Sequence, residues 1–139
     1  MTTRIYVDGI FDLFHRGHLE SIKKCRSLSD NVFLMVGVIS DSDATSYKRK
    51  PIYSEEDRCC IISSIKGVDE LIFPAPLIVT NEFLQKHNID LIVHGFSSPE
   101  DEKKQEGFYR DIKDKFKVIP YYDGQSTSSI IRYIKNSDL

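Results

Sequence analysis

The chain has 139 residues, a formal net charge of -2, and 40% hydrophobic and 29% charged side chains; these values fit one soluble globular domain over residues 1–139 and exclude a disordered or fibrous chain. The slight acidity argues against general nucleic-acid binding, so any bound anion must be held by a local cluster of donors. The longest apolar run, Val32 to Ile39, falls far short of the roughly 20 residues that span a bilayer. No signal-peptide pattern opens the chain, and Cys25, Cys59 and Cys60 lack CxxC spacing, so a cytoplasmic protein with reduced thiols is expected.

In chain order, short apolar runs alternate with longer amphipathic segments. Ile5–Val7 reads as a strand, Gly17–Leu28 as a helix, and Val32–Ile39 as a strand apolar at consecutive positions, as expected where both faces are covered. A helix over Glu55–Ile65 follows, with Ser54 and Asp57 placed as in a capping box, then a strand at Glu70–Phe73. Thr80 caps a helix over Asn81–Lys86, and Leu91–His94 is the next strand. The charge-rich stretch Ser97–Gly107 reads as a solvated loop or a flap over a site. A helix over Lys104–Lys113, a strand at Val118–Tyr121 and a helix over Ser128–Lys135 complete the chain. The pattern predicts an α/β fold, a Rossmann-like, doubly wound parallel five-stranded sheet with helices on both faces. A ligand would then sit beyond the carboxyl ends of the strands.

The densest chemistry follows the first strand, in Gly9-Ile10-Phe11-Asp12-Leu13-Phe14-His15-Arg16-Gly17-His18. His15 and His18 at a helix start share a face, and Gly17 lets a ligand approach the backbone. Free backbone N–H groups and the helix dipole point the same way, so the place suits a polyphosphate. A plain capping role for both histidines is the rival reading. Metal ligation is less well supported, because His87 and His94 do not supply a third ligand at recognisable spacing. Lys48-Arg49-Lys50 alone would be a solvated basic loop, but it stands beyond a strand end.

The run Tyr6 to His18 closely resembles the opening of the cytidylyltransferases that activate phosphocholine, phosphoethanolamine and glycerol 3-phosphate. The resemblance continues through Val36–Asp41, Glu55–Arg58, Val68–Glu70, Ile89–Gly95 and Gly124–Ile131. It implies attack by a phosphate oxygen of an alcohol phosphate on the α-phosphorus of CTP, giving a CDP-alcohol and pyrophosphate with Mg²⁺ on the triphosphate, in phospholipid synthesis. By matching motifs, His15, His18 and Lys48 would be catalytic. Gly9, Ile10, Phe11, Gly17, Arg58, His94, Gly95, Ser126, Thr127 and Ser128 would bind the nucleotide. No metal ligand set within the chain is implied, and a homodimer is. Phosphocholine or glycerol-3-phosphate enzymes, an adenylyltransferase, or a non-catalytic nucleotide-binding relative are the alternatives.

Two departures shape the expectations. The family's Arg-Thr-Glu-Gly is here Tyr121-Tyr122-Asp123-Gly124, which leaves Arg110 or Lys117 to supply the missing cation. The chain has no Trp, and Leu77 stands where the choline enzymes carry one, so an aromatic cage for a quaternary ammonium is disfavoured. Asp12 and Asp8 could bind a primary ammonium instead, which favours phosphoethanolamine. Ending one helix after the last motif, the chain is expected to be a minimal catalytic domain.

Overall fold

A computed structural model describes all 139 residues. Strands β1 (Thr3–Gly9), β2 (Val32–Val38), β3 (Glu70–Ile72), β4 (Leu91–His94) and β5 (Phe116–Val118) form one sheet in the order β3-β2-β1-β4-β5. All pairs are parallel, with Ile5 opposite Leu34 on one side and Leu91 on the other. The expected α/β architecture is therefore the observed one. Chain order reverses at β1, which is where such sheets open a crevice.

Alternation along β1 sends Ile5 and Val7 to one face and Tyr6 to the other. The first face packs on α1 (Arg16–Arg26) through Ile22 and Cys25, and on α3 (Glu55–Ser63) through Ile62. The second packs on α4 (Asn81–Lys86) through Leu84 and on a 3-10 helix (Arg110–Lys115) through Ile112. Gly37 in β2 is needed because a Cβ there would collide with the Tyr6 hydroxyl. No helix is long and apolar enough to cross a membrane.

Four local readings differ. Asp41–Tyr47 is a helix, α2, whose start is capped by Ser40 accepting from the Asp43 N–H. Within the stretch expected to be loop, Pro99–Lys104 forms α5, because Ser98 caps it, proline fits its first turn, and Glu100, Asp101 and Glu102 complement its dipole. The expected helix over Lys104–Lys113 is therefore replaced by the end of α5, a turn and the 3-10 helix, and β5 lies earlier than expected, at Phe116–Val118. The last helix, α6 (Thr127–Lys135), begins at Ser126 as a capping box.

Candidate active site

A cleft of about 390 Å³ lies over the carboxyl ends of β1 and β4. It gathers Asp8–Asp12, His15, Gly17 and His18 from the first βα unit, Lys48 and Arg49 from beyond α2, His94 and Gly95 from β4, and Ser126–Ser128 from the start of α6. Those segments are up to 120 residues apart in sequence, and only a parallel sheet of this order brings their ends to one edge.

The two histidines make the cap of α1. His15 Nδ1 accepts from the Gly17 N–H at 2.9 Å, and His18 Nδ1 accepts from the His15 N–H at 3.2 Å. An accepting Nδ1 carries no proton, so in both neutral rings the hydrogen is on Nε2. His15 Nε2 is buried and has no partner within the chain. The rings stack with centroids 3.9 Å apart. Burial, the neighbouring His15 and then Lys48 push the His18 pKa down to about 3, and burial lowers that of His15. Both rings therefore stand as neutral N–H donors at physiological pH. Gly17 permits this stacking: a Cβ there would lie 2.7 Å from the His15 ring and 3.1 Å from the Gln125 carbonyl oxygen. The capping reading is the one these bonds bear out, and the cap uses Nδ1 alone, leaving Nε2 of each ring outside it.

A second group sits at the ends of β1 and β4. Asp8 Oδ1 accepts from the Tyr109 hydroxyl at 2.7 Å and lies 3.0 Å from His94 Nδ1. Asp8 Oδ2 and His94 Nε2 are buried without partners. An unpaired buried carboxylate oxygen costs free energy unless a ligand or water meets it. Asp12, by contrast, is largely occupied: its oxygens accept from the N–H groups of Leu13, Ile52 and Tyr53 at 3.1, 2.8 and 2.9 Å. It lines the cleft but serves mainly to hold the Pro51–Tyr53 loop, so of the two aspartates singled out for an ammonium, Asp8 has the free oxygen.

Lys48 Nζ meets Asp101 Oδ1 at 3.0 Å, tying the end of α2 to α5. Burial pushes the Asp101 carboxyl up, but the Ser97 N–H, Lys48 and Gln105 outweigh it, and the net shift is downward. Arg58 is the one expected nucleotide contact that lies outside the cleft. It is fully buried, and its guanidinium donates to the carbonyls of Tyr53, Ile10 and Ile39 and to Asp41 Oδ1. With its donors engaged by the fold, Arg58 braces the β1, β2 and α3 ends and offers nothing to a nucleotide. Arg110 and Lys117 do not line the cleft either; Arg110 faces a separate groove beside α5.

The cytidylyltransferase-like family matches residues 6–133. The chain belongs to that family. A choline-phosphate cytidylyltransferase of Saccharomyces cerevisiae is 38% identical over 133 residues, covering 94% of this chain and 31% of its own length. Choline-phosphate cytidylyltransferase 2 of Arabidopsis thaliana is 38% identical, covering 94% and 44%, and ethanolamine-phosphate cytidylyltransferase of Mus musculus is 36% identical, covering 79% and 29%. The chain thus spans less than half the length of these curated relatives. A lipopolysaccharide core biosynthesis protein from Thermoplasma volcanium has a similar structure, with a TM-score of 0.66, 26% identity, and coverage of 88% of this chain and 98% of that one.

Several residues of this cytidylyltransferase-like cleft escaped the sequence reading. Tyr47, Asp101 and Gln105 line it, as do Arg49, Tyr121 and Tyr122, which the sequence marked only as part of a basic loop and as a motif departure, and the Tyr109 hydroxyl bonds to Asp8. Asp101 carried a readable signal, the Ser98-Pro99-Glu100-Asp101 start of a helix. Tyr109 carried none, because its pairing with Asp8 joins positions 101 residues apart.

Proposed function

We propose that the chain transfers a cytidylyl group from CTP to phosphoethanolamine, giving CDP-ethanolamine and pyrophosphate. The carrying observation is the pair of cap-locked histidines at the start of α1, in one cleft with an unpaired buried Asp8 oxygen. An oxygen of the acceptor phosphate forms a bond to the α-phosphorus while the bond from that phosphorus to the bridging oxygen of pyrophosphate breaks. The attacking oxygen is already anionic, so no base is needed. The chain's task is to hold both phosphates in line and to donate hydrogen bonds to charge that builds on the α-phosphate and leaving oxygens. Neutral Nε2–H donors suit that task, and Lys48 adds a full positive charge. The starts of α1 and α6 border the same cleft, and helix N-termini favour phosphate oxygens. Mg²⁺ bound to CTP would neutralise part of the triphosphate charge, beside the donors of Lys48, His15 and His18.

The ammonium of phosphoethanolamine pairs with Asp8 Oδ2, and the His94 imidazole beside it fixes that carboxylate. Phosphocholine is the second reading, because most of the relatives above act by name on choline phosphate and Tyr47 and Tyr121 bring aromatic rings to the same cleft. Pyrophosphate release is measured with CTP and ATP against phosphoethanolamine, phosphocholine and glycerol 3-phosphate. Release with CTP and phosphoethanolamine alone, lost in His18→Ala, supports the proposal; CTP binding without turnover on any acceptor refutes it. The unpaired thiols of Cys25, Cys59 and Cys60 fit a cytoplasmic protein. A homodimer is our reading of its assembly, and light scattering checks it.

A further inference from the structure

Two side chains in the cleft are permanently cationic, Lys48 and Arg49, against three carboxylates, Asp8, Asp12 and Asp101. Their situations differ although they are consecutive. Lys48 is held by Asp101 at 3.0 Å, and that carboxylate is itself fixed by the Ser97 N–H and Gln105. Arg49 reaches the other way, toward Asp12, but its guanidinium stops 3.9 Å from Oδ2, beyond hydrogen-bond distance. Asp12 cannot readily draw it closer, since its oxygens already accept three backbone N–H groups. Arg49 thus carries the one full positive charge in the cleft whose donors are unspent, and it is 44% exposed at the rim.

Its place selects the ligand. The Asp12 carbonyl accepts from Thr127 Oγ1 at 2.9 Å, which joins the loop before α1 to the first turn of α6. Arg49 stands beside that joint, in the cleft bordered by the starts of α1 and α6, while Asp8 and His94 form a separate polar group at the strand ends. Tyr121 and Tyr122 add no charge there. A guanidinium presents a planar fork of donors that matches two phosphate oxygens at once.

We infer that Arg49 grips the β- and γ-phosphates of the nucleotide, from the connection between α2 and α3. This rests on the reading above that the cleft takes CTP. The test is Arg49→Gln in the full chain, with CTP, pyrophosphate and CMP titrated calorimetrically in Mg²⁺ and the steady-state constants measured with phosphoethanolamine. Affinity for CTP and for pyrophosphate falls by about tenfold or more, as for a lost charge-assisted contact. CMP affinity and the KM for phosphoethanolamine stay unchanged, and Arg49→Lys recovers part of the loss. Unchanged CTP affinity in Arg49→Gln, or an equal loss for CMP, overturns the assignment while leaving the cytidylyl-transfer reading intact. Absence of CTP binding by the unsubstituted chain overturns both. Unfolding temperature is the control: Arg49 makes no hydrogen bond in the fold, so an equal Tm rules out a structural origin of the loss.

Discussion

At the scale of single residues, the tautomers of His15 and His18 are fixed by the same bonds that start a helix. Their position depends on Gly17, whose missing side chain leaves room for the His15 ring. Gly17→Ala forces that ring aside, and its pyrophosphate release drops on the order of 10²-fold, the scale of a small misplacement at a reacting centre. The stability cost, read from urea unfolding, is about 1–3 kcal/mol. Protonation has a predictable direction as well. His18 titrates at about 3 in the fold and near 6.5 when unfolded. Between those values the unfolded chain holds a proton that the folded chain refuses, so stability falls as pH drops through this window. The slope is about 1.4 kcal/mol per pH unit for one proton. Urea midpoints at pH 7 and pH 5 should therefore differ more for the native chain than for His18→Gln.

At the scale of elements, Arg58 and Asp101 each bind one segment to another. Arg58→Ala leaves the Tyr53, Ile10 and Ile39 carbonyls and Asp41 without their buried partner. It should cost about 3–5 kcal/mol in denaturant unfolding. Asp101→Asn removes the counter-charge of Lys48, which is 36% exposed; the cost is about 1–2 kcal/mol, discounted for that exposure. The elements also show what periodicity can and cannot reveal. The strands β2 and β4 and the helices α1, α3, α4 and α6 were legible because apolar periodicity and caps agree there. α2 and α5, at 7 and 6 residues, are too short to show a period, and only their caps, Ser40 and Ser98, mark them. Arg58 illustrates a different loss. Motif register places it beside the nucleotide, but whether a side chain points into a cleft or into the core is set by packing, and here four acceptors of the fold claim it. The Asp8 to Tyr109 bond was invisible for the same reason, since no local pattern connects the two.

At the scale of the whole molecule, the sheet order puts β1 in the centre and the cleft at the reversal of chain direction. Most of the sheet is built by β1 through β4, and the start of α6 is joined to the cleft by the bond from Thr127 to the Asp12 carbonyl. Thr127→Val removes that link, at a cost of about 1 kcal/mol. Amide exchange should then quicken in α6 while β1 and β2 keep their protection, because the sheet does not depend on this contact.

The Thr127 to Asp12 bond joins positions 115 residues apart, so synthesis delivers the two sides of the cleft well separated in time. A nascent chain that has emerged through β4 already holds both histidines and the Asp8 carboxylate, but the start of α6 reaches them only after β5 has followed. The cleft is therefore completed by a contact between segments far apart in sequence, after the sheet that supports it has had time to form.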